Sequence, residues 1–225
     1  MVEMSTQLNR DLFIVVARDL PEAWNLCIRG IMDHGYKYLI TRGSHVGSHR
    51  KEFDAVAIEV LYPGTKPLVP DVPEGVPPPT DMNYVESYLP YLMTNDKSQN
   101  ELYTYGEDID KQLPELIRTL REAGDGTNQA CMSVGDAASL FLEHSQCLRV
   151  IDTRIREGKL HFHVYFRSWD LWGGFPANLA AIQILKEYVA GEVGVEDGRL
   201  FAYSKGLHLY EHQWKVANMV LGRVG

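Results

Sequence analysis

The sequence predicts one α+β domain over residues 1–225, and three observations carry that expectation. The composition is ordinary for a globular chain, 45% hydrophobic and 23% charged over 225 residues. Both periodicities occur: strict alternation from Leu160 to Phe166, and three-to-four spacing through Ile109, Leu113, Leu116, Ile117 and Leu120. Finally, no internal repeat and no low-complexity tract beyond a proline-rich stretch interrupts the chain.

Each element follows from local pattern. Phe13 to Ala17 is a short β-branched and aromatic run, a strand. Asp19, Pro21 and the stripe Trp24, Cys27, Ile28, Ile31, Met32 then predict a helix that stops at Gly35. A polar loop is expected from Thr41 to Phe53, then an alternating strand in DAVAIEVLY. The crossing from Pro63 to Pro79 holds seven of the eleven prolines, so it reads as a long surface loop or a lid. Helices are expected around 83–93 and 109–123, the second stopped by Gly124.

From Leu148 the pattern strengthens. LRVIDTRI and LHFHVYFR flank Glu157 and Gly158, which predicts a hairpin with His161, His163, Tyr165 and Arg167 on one face. A largely buried helix starts near Pro176 and carries Leu179, Ile182, Leu185 and Val189. A strand at 200–203, a turn near Gly206 and a last helix with Trp214, Ala217 and Leu221 follow.

Charge and cysteine usage narrow the function classes. Lys+Arg of 22 against Asp+Glu of 30 gives −8, which argues against a polymeric nucleic-acid partner and leaves one phosphate open. Cys27, Cys131 and Cys147 show no CxxC spacing, so a reducing, cytoplasmic setting is expected. No apolar run approaches the roughly 18–20 residues that span a bilayer, and MVEMSTQLNRDL is too polar for a signal peptide. No membrane partner is expected.

Two constellations can carry chemistry. Cys147 stands just before a strand after the polar EHSQ run, where a thiol can be a nucleophile or simply a small buried hydrophobe. Cys27 and Cys131 read as buried. In FRSWDLWGGFPANLAAIQIL, Arg167 and Ser168 offer a fork and a hydroxyl suited to a phosphate monoester. Asn178 can donate and accept together, as a uracil-like edge requires, or can cap the helix. Asp170 reads equally as a loop cap. His45 with His49 and His161 with His163 supply no third convergent ligand, so no metal is expected.

The run RSWDLWGGFPANLAAIQIL resembles the nucleotide-binding signature of thymidylate synthases, an Arg-Ser-x-Asp segment leading through glycine to Pro-x-Asn. Cys147 precedes Arg167 at the family's interval, LHLYEH places His208 and Tyr210 like its His-x-Tyr pair, and YTYGED places Tyr105 like its Tyr-Gly motif. The chain looks most similar to the short archaeal-type members. The resemblance implies the family's layered fold, a mixed sheet packed by helices, in a homodimer paired back to back through its sheets. It implies Cys147 as the thiolate that adds to C6 of a pyrimidine nucleoside monophosphate, with Glu86 and Tyr105 as further catalytic residues. Arg42, Arg167 and Ser168 would hold phosphate, Asn178 the base, His208 and Tyr210 the ribose, and Asp170 the pterin of the one-carbon donor. That donor would be 5,10-methylenetetrahydrofolate or a methanopterin analogue.

The departures are specific. Ser145, Gln146 and Leu148 stand where the family carries Pro-Pro before its cysteine and His after it, and Asn128 and Gln129 replace two arginines that cross the dimer interface. Phosphate would then lean on Arg42, Arg50 or Arg149. Fifteen residues follow Tyr210, and they show no counterpart of the segment that closes over the cofactor in longer members. The expected reaction is dUMP to dTMP; the alternatives are a pyrimidine nucleotide 5-hydroxymethylase and a non-catalytic pyrimidine nucleotide-binding protein.

Overall fold

A computed structural model describes residues 12–97 and 101–223; of the polar segment MVEMSTQLNRDL, read as unlike a signal peptide, all but Leu12 lies outside them. Among the described residues are five α-helices and ten strands, the strands arranged in two mixed sheets.

Strand β1 (Phe13–Ala17) alternates buried and exposed positions and pairs in parallel with β4 (Val56–Val60). Between them, α1 (Leu20–His34) starts at Asp19, whose carboxylate accepts from the Glu22 backbone N–H, a normal N-cap. Its stripe of Trp24, Cys27, Ile28 and Ile31 is fully buried. The proline crossing forms no strand or helix, but Leu68 and Val76 anchor it in the interior, which fixes it as a packed loop.

Helices α2 (Met82–Met93) and α3 (Gly106–Ala123) follow. The α3 start is set by a reciprocal pair: Thr104 Oγ1 accepts from Glu107 N at 3.1 Å, and Glu107 Oε2 accepts from Thr104 N at 3.0 Å. That pair pins Tyr105 at the helix entrance. The expected hairpin is β6 (Leu148–Arg156) and β7 (Lys159–Phe166), turning on Glu157 and Gly158 with φ of 52° and 73°, the left-handed conformation a two-residue turn needs. Helix α4 (Gly174–Val193) is buried on nearly all sides.

The larger sheet runs β1-β4-β9-β7-β6-β5, with β5 at Cys131–Ser133 and β9 at Glu196–Ser204. The smaller sheet runs β2-β3-β10-β8, with β2 at Tyr36–Leu39, β3 at His49–Phe53, β8 at Trp169–Asp170 and β10 at Leu207–Tyr210. The loop expected from Thr41 to Phe53 is therefore a hairpin whose second strand ends at Phe53, and its connection is only 40–48. Helix α5 (Trp214–Val220) closes the described chain. One contiguous apolar core extends from Phe13 to Ala217. Cys27 lies in it, whereas Cys131 is exposed on edge strand β5, contrary to the buried position expected for it.

Candidate active site

The site is assembled where β6 begins, β7 ends and the small sheet meets α4. Cys147, half-buried, is joined to the end of β7 by a hydrogen bond from Arg167 N to its carbonyl, 2.9 Å. The Arg167 side chain then folds back. Nε donates to Gln146 O at 3.0 Å and Nη2 to Ser145 O at 2.5 Å, so one guanidinium clamps the two peptides leading into the cysteine. Burial pushes the thiol up from its ordinary range, and the Arg167 charge pulls against it. The lowering by the Arg167 charge is outweighed, because the thiol is more desolvated than a strand-end position suggests.

Tyrosines surround this thiol. Tyr105 Oη accepts from Leu148 N at 3.3 Å, and Tyr103 Oη donates to Ser145 O at 3.3 Å. Burial and then negative charge at Cys147 raise both phenols, so they stay protonated. Tyr91 stands edge-on to Tyr105 at 5.1 Å, and Tyr88 stacks on Tyr91 at 5.2 Å. Tyr84, Tyr88 and Tyr91 fall on one face of α2 by their spacing and wall two adjoining cavities. One, about 400 Å³, reaches Tyr105; the other, about 440 Å³, is lined by Asp170, Gly173, Gly174 and Asn178. A larger cavity of about 900 Å³ opens on the outer face of the six-stranded sheet and contains none of these residues.

Asn178 is not a helix cap, since α4 starts at Gly174 and Asn178 sits in its second turn. Its Oδ1 accepts from Trp169 Nε1 at 3.0 Å and its Nδ2 donates to Tyr88 Oη at 2.9 Å. Asp170 accepts from Trp172 N at 3.0 Å and from Gln213 Nε2 at 3.2 Å, so it caps its own loop while lining the cavity. Ser168 is half-buried in the bend between β7 and β8. Gly206 approaches the Arg167 carbonyl so closely that a Cβ there would lie 3.3 Å from it, which keeps the turn tight against the phosphate-type pair.

His208 is 3% exposed. Its Nδ1 donates to Gly206 O at 2.9 Å, and its buried Nε2 has no hydrogen-bond partner. Burial pushes this imidazole down to about 4, so it is neutral and Nε2 is an open acceptor. Tyr210 stands edge-on to it at 4.8 Å and feels the charges of Asp170, Arg50 and Cys147. The sign of the His208 shift gives a stability prediction. Between about pH 4 and its ordinary 6.5 the unfolded chain holds a proton that the folded chain lacks, so this residue removes stability as pH falls through that window. Urea melts at pH 7 and pH 4.5 should show a smaller acid loss for His208→Gln than for the wild type; equal losses would contradict this.

Two expected residues stand apart. Arg42 is exposed on the 40–48 loop, although His45 of that loop lies against Tyr210 at 4.5 Å. Glu86 is exposed on the side of α2 opposite Tyr84, Tyr88 and Tyr91. Among the other cations, Arg50 is held by Glu52 at 2.8 Å and by Tyr38, and Arg149 is half-buried with Nη1 over Gly135. Asn128 and Gln129 are exposed and neutral. Sequence reasoning missed Tyr88, Tyr91, Tyr103 and Trp169; the i, i+4, i+7 spacing of three tyrosines was the available signal. Among the described residues no three His, Cys, Asp or Glu side chains converge as metal ligands, and no helix is long and apolar enough to cross a membrane.

The sequence model described as thymidylate synthase matches residues 91–224, which includes Cys147, Arg167, Asn178 and His208. A protein of Methanosarcina acetivorans named "Putative thymidylate synthase" is 31% identical over 93% of this chain and 95% of its own length. Proteins of the same name from Methanosarcina mazei and Methanopyrus kandleri are 30% and 26% identical over 93% and 88% of this chain, covering 95% and 93% of their own lengths. The chain thus belongs to the thymidylate synthase family, as an α+β enzyme of one-carbon transfer.

Proposed function

We propose that this chain, acting as one domain, converts dUMP to dTMP with a methylene-carrying reduced pterin. The observation that carries the reading is the Arg167 clamp, which sets a guanidinium and the Cys147 thiol at one point between β6 and β7.

The chemistry follows from the residues. The Cys147 thiolate adds to C6 of the pyrimidine, forming a C–S bond and leaving C5 as an enolate-type carbon nucleophile. The pterin co-substrate supplies the one-carbon electrophile and then the hydride that completes the methyl group. Loss of the C5 proton and expulsion of the thiolate restore the ring. Arg167, Ser168 and Arg42 bind the phosphate. Asn178 reads the base edge, and the unpartnered Nε2 of His208 accepts the ribose hydroxyl, with Tyr210 beside it. Asp170 in the 440 Å³ cavity meets the pterin, and Tyr105 orders the cysteine loop. For the C5 proton, Glu86 can act only after a change in α2 or through water, since it faces away from the tyrosine wall.

The homodimer reading is supported by the outer face of the six-stranded sheet. There Ile14, Ala57, Tyr203, Tyr165 and Val150 lie in register across five strands, a row of apolar and aromatic side chains with Ile14 and Tyr203 exposed. Tyr203→Glu is expected to shift the protein from dimer to monomer in sedimentation velocity; an unchanged dimer would contradict this face. A reducing cytoplasmic setting fits the unpaired thiol chemistry.

The test of the reaction is incubation with dUMP and methylenetetrahydrofolate or methylenetetrahydromethanopterin, with mass spectrometry of the nucleotide. dTMP is the expected product. A 5-hydroxymethyl nucleotide would select water over hydride in the last step, and unaltered dUMP with both donors would overturn the proposal.

A further inference from the structure

Asn178 carries the base reading proposed above, and its amide has two orientations with opposite meanings. A uracil edge presents a carbonyl acceptor beside an N–H donor, whereas a cytosine edge presents an amine donor beside a ring-nitrogen acceptor. An asparagine fixed in one pose matches the first with one orientation and the second with its 180° flip. A freely flipping amide at this position reads both bases.

The surroundings of Asn178 decide the flip. Trp169 Nε1–H, which can only donate, lies 3.0 Å from Oδ1. Flipping the amide would set N–H against N–H in a buried place, since Trp169 is 2% exposed. Tyr88 on the other side, 2.9 Å from Nδ2, imposes no orientation because a phenol donates and accepts equally well. Trp169 itself cannot turn away: its ring stacks on Phe166 at 4.1 Å and 6°, and packs on Phe175 at 4.5 Å.

We infer that Trp169 is a positioning residue that locks the Asn178 amide and thereby sets the choice between uracil and cytosine nucleotides. This rests on the nucleotide reading above, and the position lies between the phosphate-binding Ser168 and Asp170, where no role was expected of it.

The test is calorimetric binding of dUMP and dCMP to the wild type, to W169F, to N178D and to W169F/N178D. Phenylalanine keeps the aromatic stack and deletes only the obligate donor; thermal melts report whether each variant folds. W169F is expected to lower the dUMP-to-dCMP affinity ratio on the order of tenfold, mainly by gaining dCMP. In the N178D background the carboxylate has two equivalent acceptors and no orientation to lock, so adding W169F should leave the ratio unchanged. A merely structural tryptophan would instead weaken both nucleotides alike in both backgrounds. A W169F ratio equal to that of the wild type, with dUMP still bound, would overturn the inference alone. Failure of the wild type to bind either nucleotide would overturn the nucleotide reading and this inference with it. Should W169F fail to fold, Y88F takes its place as the readable arm: it leaves the Trp169 lock intact and should keep the wild-type ratio, and a fall of the ratio toward unity would refute the lock.

Discussion

Cys147→Ser is expected to lower kcat by about three orders of magnitude or more while leaving dUMP affinity within about threefold of wild type. The asymmetry follows from what each group does. In the proposed reading phosphate, base and ribose contacts fall to Arg167, Asn178 and His208, none of which the substitution replaces. A serine hydroxyl ionises far less readily than a thiol, and this site has already pushed the thiol upward by burial, so an alkoxide there is out of reach. Isothermal binding and steady-state kinetics on the same preparation separate the two effects. Substantial residual turnover would exclude the covalent adduct.

Arg167→Ala should produce the second largest loss, a fall in kcat/KM of about a thousandfold, together with a change in pH profile that only an electrostatic role explains. The reactive form is the thiolate, so the rate rises with pH through the thiol pKa. Burial holds that pKa above its ordinary value and the Arg167 charge restrains it, so removing the charge moves the alkaline limb further up. The variant also leaves the carbonyls of Ser145 and Gln146 without their donor, at about 1–2 kcal/mol of stability. Denaturant melts and a pH series on one variant therefore read two consequences of one side chain. A reduced rate with the limb unmoved would assign Arg167 to phosphate binding only.

The fold was most legible where one periodicity dominates. β7 alternates strictly, α4 carries a long run of apolar residues, and α3 carries a single stripe, so each was readable without tertiary knowledge. Strands β2, β3 and β10 were not readable in the same way. HRKEF is polar or charged at four consecutive positions and YKYL is mostly exposed, and the place of β3 is decided by contacts between residues near 50 and near 209. β8 is two residues long and takes its place from β10.

The site divides along the same line. Cys147, Arg167, Asn178 and His208 stand in local motifs, so their types and spacing pointed to nucleotide chemistry. The tyrosine wall did not, because Tyr88 meets Asn178 across ninety residues and only α2 packing on α4 brings them together. Nor did local pattern reveal that Trp169, buried with the core aromatics, turns its only polar atom onto the Asn178 amide.

The most direct measurement is release of tritium from [5-³H]dUMP by the wild type and by Cys147→Ser, with and without a methylene-carrying reduced pterin. The account predicts donor-dependent release by the wild type, with dTMP formed in equal amount, and none by the variant. Release by the variant at the wild-type rate, or no release by the wild type with either pterin, would contradict the claim that Cys147 activates C5 through an adduct at C6.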